Sequence, residues 1–137
     1  MCVCARENQN PNINHLKNES YVVLNRTRDV GLADAAEAAR SVLKRMKGLI
    51  GRSAEEFIPG KAIWLVPSEG IHTFCMSFPI DAAYLDSKGK VLKMYHSLAP
   101  YRFAAVMLKA RSVLELPSGT LVRTGTQVGD ILEFQAR

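Results

Sequence analysis

Apolar residues along this chain follow two rhythms, one that suits a helix and one that suits short strands. In "GLADAAEAARSVLKRMKGLIGR", Gly31 to Arg52, the positions Leu32, Ala35, Ala36, Ala39, Val42, Leu43, Met46, Leu49 and Ile50 recur at i, i+3, i+4 and i+7, and the spacing predicts a helix. Asp34 and Glu37 in its first turns, and Lys44, Arg45 and Lys47 in its last, suit the helix dipole. Gly48 and Gly51 mark its end. Elsewhere the runs are short and β-prone: Tyr21 to Leu24, "AIWLVP" closed by Pro67, "HTFCMSF" and "DAAYLD" separated by Pro79, "VLKMYHSL", "ARSVLEL" and "ILEFQ". "DSKGK" reads as a turn with Gly89 placed to accept positive φ. "PSGTLVRTGTQVGD", punctuated by Pro117, Gly119, Gly125 and Gly129, has room for one helical turn.

Strands joined by tight turns, with one helix on the N-terminal side and one short helical turn near the C-terminus, give an α+β, β-rich fold. The architecture expected is an antiparallel sandwich or a partly closed barrel, not a doubly wound sheet. Residues 1–19, rich in asparagine and poor in apolar side chains, read as a loosely attached tail carrying His15; residues 20–137 read as one globular domain.

Composition narrows the class without naming a function. The chain has 137 residues, 47% hydrophobic and 23% charged, with a net charge of +5, the profile of an ordinary globular domain. No run approaches the length of a membrane span, and the N-terminus lacks a charged start followed by an apolar stretch, so a cytoplasmic protein is expected. Three cysteines, Cys2, Cys4 and Cys75, make a poor disulfide framework. Cys2, Cys4, His72 and Cys75 do not form a strong zinc-ligand spacing, and Cys75 reads as a packed thiol. No metal and no cofactor is expected.

The stretch "IHTFCMSFPIDAAYLD", Ile71 to Asp86, carries the best site candidates. If "IHTFCMSF" is a regular strand, His72 shares a face with Phe74, Met76 and Phe78, and Cys75 lies on the opposite face with Ile71, Thr73 and Ser77. A Cys–His nucleophilic pair cannot then form within the strand. Asp81 enters an apolar run and must either cap local backbone or pair with a cation. Trp64 reads as core, with a pocket-mouth platform as the other reading.

"RMKGLIGR", "AIWLVP", "IHTFCMSFPIDAAYLD", "GKVL", "VLELPSG" and "GTQVGDIL", in this order and spacing, resemble the family known as domain of unknown function 192, from about Tyr21 to Phe134. The residues that match are Arg45, Gly48, Leu49 and Arg52, then His72, Thr73, Phe74, Met76, Pro79, Asp81 and Asp86, and finally Glu115, Pro117, Gly119, Gly129 and Asp130. Ala82 and Ala83 stand where the family often has bulkier side chains, and Cys75 is not an obligatory family residue. The resemblance implies a compact β-rich domain with a helix near its start and no established activity. Many relatives carry leader segments, which leaves export open.

The functional expectation is a non-catalytic accessory domain whose partner is a small molecule or a protein. Its cleft would lie around His72 and Asp81, with Thr73 and Met76 in its wall and Arg45 or Arg52 brought alongside. The alternative is a hydrolase-like enzyme using His72 and Asp81, with or without a metal, although no G-x-S-x-G, H-E-x-x-H or P-loop motif is present. Nucleic-acid binding through Arg40, Lys44, Arg45, Lys47 and Arg52 comes third, because these cations are not interleaved with aromatics. Whether the chain is an enzyme, and its oligomeric state, stay open.

Overall fold

The computed structural model describes residues 19–41, 44–45 and 48–137. Seven strands form one mixed sheet in the order β5-β4-β6-β3-β2-β1-β7, curled into a half-barrel. They are β1 Ser20–Asn25, β2 Val30–Ala39, β3 Gly60–Leu65, β4 Ile80–Leu85, β5 Val91–Leu98, β6 Ser112–Pro117 and β7 Leu132–Ala136. A short helix, α1 Thr120–Thr124, follows β6. The expected β-rich α+β class and the partly closed barrel are what the chain adopts; the sandwich is not. The pairing is antiparallel except between β2 and β3, which run parallel.

The predicted helix from Gly31 to Arg52 is corrected over its first half, which is strand β2. Ala33 pairs with Val23 of β1 and Gly60 of β3, yet Ala36 pairs with Tyr21 and Ala62, so β2 holds one more residue than either neighbour over this step. Such a bulge lengthens the strand's period from two to three at that point. Ala33 and Ala36 are therefore both buried in the inner cluster three residues apart, and with Ala39 buried on the outer face the run imitates a helical spacing. Alanine's high helix propensity is overridden because β2 lies between two partners and is covered on both faces. Lys44 and Arg45 are helical, with Arg45 N–H donating to the Ser41 carbonyl and Gly48 N–H to that of Lys44. Val42, Leu43, Met46 and Lys47 lie outside the described residues, as do Cys2, Cys4 and His15.

A second correction concerns "HTFCMSF". His72 makes one isolated bridge to Phe103, residues 74–75 turn, and Met76 N–H donates back to the Thr73 carbonyl at 3.3 Å. The stretch is a turn laid over the sheet, and Cys75 at its apex is exposed with φ +62°, not packed as expected.

Two apolar clusters form on the two faces of the sheet. The inner one draws on all seven strands and α1, through residues such as Val23, Ala36, Ala62, Leu85, Val91, Leu114, Leu121 and Leu132, which only a concave face can bring together. The outer one lies on β3, β4 and β6 and is covered by the connecting segments, through Leu49, Phe57, Ile71, Met76, Phe78 and Ala110.

The two edge strands meet at their starts. Val91 N–H donates to the Asp130 carbonyl (2.8 Å), Gly129 N–H to that of Val91 (2.8 Å) and Leu132 N–H to that of Gly89 (2.9 Å). The Asp86 carboxylate holds the preceding turn by accepting Lys88 and Lys90 N–H at 2.8 and 2.9 Å. Gly89 has φ +80°, and a Cβ on it would fall 2.3 Å from the Leu132 carbonyl oxygen. This seam has no room for a side chain.

Gly89→Ala is therefore expected to destabilise by about 3 kcal/mol, through left-handed strain plus loss of the seam bonds. Gly125→Ala shares the positive φ, +66°, but has open space around it, and is expected to cost only about 1 kcal/mol. Urea unfolding of the two variants measures the difference; equal losses would mean that the seam yields freely.

Candidate functional site

Side chains alternate along a strand, so the outer-face residues of β6 are Val113 and Glu115, and those of β4 are Ile80, Ala82 and Tyr84. Glu115 is thus planted among the apolar residues of the outer cluster, 3% exposed, and its Oε2 has no hydrogen-bond partner among the described residues. Burial pushes its carboxyl up to about 8, against the opposing pull of the Arg52 guanidinium. Neighbouring Tyr84 is fully buried, and burial pushes its hydroxyl up to about 12.

Above Glu115 lies a cavity of about 200 Å³, lined by Arg45, Gly48, Leu49, Ile71, His72 and Met76 among others. Gly48, with φ +43°, lets the chain after the helical turn pass close to Glu115, its Cβ position being 3.6 Å from Oε2. Arg45 is steadied at the rim by a 2.6 Å bond from Nη1 to the Arg40 carbonyl. His72 is exposed, and its Nδ1 accepts the Phe74 N–H at 3.3 Å. In the neutral ring this leaves the proton on Nε2. A second cavity of about 390 Å³ adjoins across Gly48 and Ile50, with Arg52 and Glu37 paired at 3.0 Å in its wall.

Of the residues singled out from sequence, Arg45, His72 and Met76 line the first cavity, and Arg52 lines the second while acting on Glu115 by its charge. Thr73 is fully buried and spent on structure: its Oγ1 donates to the Ala99 carbonyl (2.6 Å) and accepts the Arg102 N–H (2.9 Å). Asp81 does not join His72. It lies on the inner face, fully buried, with Oδ1 accepting the Ser97 N–H and Oδ2 the Leu121 N–H, both at 2.9 Å. The sheet separates it from the cavity, so the anticipated cleft around both residues is replaced by one around Glu115 and His72. Glu115 belongs to the family resemblance but not to the site candidates read from sequence; an acidic residue inside "VLELP" is the signal that points to it.

The basic helix face is also corrected. Arg40 follows β2, where it pairs with Glu19 at 2.7 Å, bonds the Tyr21 hydroxyl at 3.1 Å and lies over the Trp64 ring. Trp64 stacks on Phe134 at 4.0 Å and meets Tyr21 edge-on at 5.2 Å, packed against the inner cluster. Lys47 is outside the described residues. Among the described residues no group of three or more His, Cys, Asp and Glu is arranged to hold a metal, and no helix is long and apolar enough to cross a membrane.

Asp130 anchors the seam. Burial acts to raise its pKa, but donors from Asn25 (2.9 Å), Arg28 (2.6 Å) and the Gln127 N–H (2.9 Å) outweigh it and hold the carboxyl below the usual range.

These features define a small β-rich half-barrel whose pocket lies on the convex face over a buried carboxyl. The chain belongs to the domain of unknown function 192 family, described as "Uncharacterized ACR", whose family model matches residues 23–134. A UPF0127 protein of Thermococcus sibiricus is 24% identical over 119 residues, covering 83% of this chain and 75% of the relative. The fold is similar to that of a Novosphingobium aromaticivorans protein of unknown function, with TM-score 0.73, 21% identity and 84% of each chain covered. It is also similar to that of a Sinorhizobium meliloti protein described as a candidate transcription regulator, with TM-score 0.69, 21% identity and 85% and 92% of the two chains covered.

Two measurements follow from the carboxyls. Asp81→Ala removes the acceptor of the buried Leu121 N–H and of the part-buried Ser97 N–H and is expected to cost about 3 kcal/mol in urea unfolding. Glu115 has the opposite sign. Its folded pKa lies above the unfolded value, so the folded state binds the extra proton and stability falls as pH rises between the two, by about 1.4 kcal/mol per unit. That slope should run from about pH 5 to 8 and vanish in Glu115→Gln. Asp130, with a lowered pKa, contributes stability that is lost only as pH falls below the ordinary carboxylate range. Denaturant midpoints across pH for wild type and Glu115→Gln test this; a matching slope in both would assign it elsewhere.

Proposed function

We propose that the protein is a small-ligand-binding domain, and that the cavity over Glu115 is its site. The observation that carries this reading is the buried Oε2, without a partner among the described residues, at the floor of a pocket walled by Leu49, Leu65, Ile71 and Met76 with Arg45, Ser68 and His72 as its other polar groups. A cost of this kind is relieved when a ligand supplies the missing partner. At neutral pH the carboxyl is protonated, so it offers a donor and an acceptor side by side. That edge matches an amide-like group, and Leu49, Ile71 and Met76 suit a short apolar body beside it. About 200 Å³ is below the common range of roughly 300–1,000 Å³, which favours a compact, uncharged ligand. His72 at the rim adds one more polar contact.

A panel of small carboxamides and lactams, followed by NMR shifts of Gly48 and Met76, tests the reading. Binding should be steady from about pH 5 to 7 and weaken above about 8 as Glu115 ionises. Glu115→Leu should abolish it, while Glu115→Gln should keep part of it without the pH dependence. Probes that bind equally to Glu115→Leu, or that ignore pH, would remove the carboxyl from the site.

The same raised pKa supports a second reading, in which Glu115 is a general acid–base group. This keeps the hydrolase alternative but moves it from Asp81 to Glu115. Turnover of a chromogenic ester or amide that falls at least about a hundredfold in Glu115→Gln would favour it over simple binding.

A further inference from the structure

Independently of the pocket, the connection between β5 and β6 displays an unusual surface. Tyr101 is 59% exposed, Phe103 79%, Val106 71% and Leu108 77%. The segment is firmly built. Thr73 N–H donates to the Arg102 carbonyl, Tyr101 and Ala104 N–H to those of Thr73 and Ile71, and Met107 N–H to that of Glu69. The Tyr95 hydroxyl accepts the Ala105 N–H at 2.8 Å. Phe103 packs edge-on against Phe74 at 4.6 Å. Four large apolar side chains are thus held out in water by an ordered ribbon.

Charge along the ribbon and its flanking strand is all positive. Residues 87–114 contain six Lys or Arg and no Asp or Glu, and Arg102, Lys109 and Arg111 are exposed among the apolar side chains. Glu69, across the ribbon, is the acidic residue paired to it through backbone. The geometry points to docking of this ribbon on an anionic lipid surface, with the apolar side chains entering the headgroup–acyl boundary and Arg102, Lys109 and Arg111 meeting the lipid phosphates. Aromatic and aliphatic tips ringed by cations are the composition of interfacial anchors. Val106 and Leu108 have no π face to stack on a nucleobase, so a single-stranded nucleic acid fits the surface less well.

The full chain carrying Phe103→Trp is titrated with phosphatidylcholine vesicles with and without phosphatidylglycerol, and the wild-type spectrum subtracts the native Trp64. Emission should shift to the blue only with phosphatidylglycerol, and added salt should weaken the partitioning. Arg102→Glu with Lys109→Glu, and separately Leu108→Ser, should each weaken it by about tenfold or more. These side chains are exposed, so unchanged thermal unfolding is expected and is checked for every variant. An unshifted emission would overturn the proposal, as would lipid binding that ignores Leu108→Ser, because then the ribbon is not what inserts. Indifference to vesicles with salt-sensitive binding to poly(U), weakened by the same variants, would overturn it in favour of nucleic acid. A concentration-dependent dimer lost in Phe103→Ser, without lipid binding, would overturn it in favour of a second copy of this chain.

Discussion

Everything in this fold follows from the closeness of Gly89 to the Leu132 carbonyl. A seven-stranded open sheet leaves two edges with unpaired backbone groups, and curling brings the starts of β5 and β7 within hydrogen-bonding range. The approach is only available without a Cβ at residue 89. Closing the sheet there encloses the inner cluster, with α1 inserting Leu121 into it. Once the concave face is filled, the convex face of β3, β4 and β6 is still apolar and must be covered by the connections. Those connections are irregular chain, and irregular cover leaves gaps. The cavity over Glu115 is one of them, so the seam and the pocket are two consequences of one topology.

The strands were legible where turn chemistry was explicit. "DSKGK" sets the β4–β5 turn through Asp86 and Gly89, and β5 matches the predicted "VLKMYHSL" residue for residue. Two elements were misread for identifiable reasons. The bulge in β2 converts a strand's alternation into helix-like spacing, and alanine gives no β-branched signal to counter it. In "HTFCMSF" burial alternates over residues 75–78, with Met76 and Phe78 buried and Cys75 and Ser77 exposed, but the backbone bonds run to Tyr101 and Arg102 or stay within the turn, and not to a neighbouring strand. Periodicity reports burial, and a turn pressed onto a sheet can have the same burial pattern as a strand. The parallel β2–β3 pair was likewise hidden, since strand direction is not written in local composition.

The site was half legible. His72, Met76, Arg45 and Arg52 came from widely separated segments and do gather around one region, because residues 48–52 and 70–76 cover the same face of the sheet. Asp81 was chosen for the right reason, an acid in an apolar run, and its position is explained by the structural half of that reasoning. Glu115 meets the same criterion two strands along. Sequence cannot separate the two, because what distinguishes them is the face of the sheet and the donors waiting there.

The three buried carboxyls among the described residues differ in how their burial is offset. Asp81 receives two backbone N–H groups and fixes α1 and the end of β5 to the sheet. Asp130 receives three donors and ties β1 to the turn before β7. Both have burial costs offset inside the protein, so their presence is explained by the fold they stabilise. Among the described residues Glu115 Oε2 has no such offset, and an apolar side chain such as leucine would join the outer cluster without a buried polar group to satisfy. A group that burdens the fold and faces a cavity is best understood through what enters the cavity. Tyr84 and Arg52 strengthen that argument from opposite sides: the buried hydroxyl beside Glu115 gives it no charge to lean on, and the guanidinium that does pull on it is already engaged with Glu37.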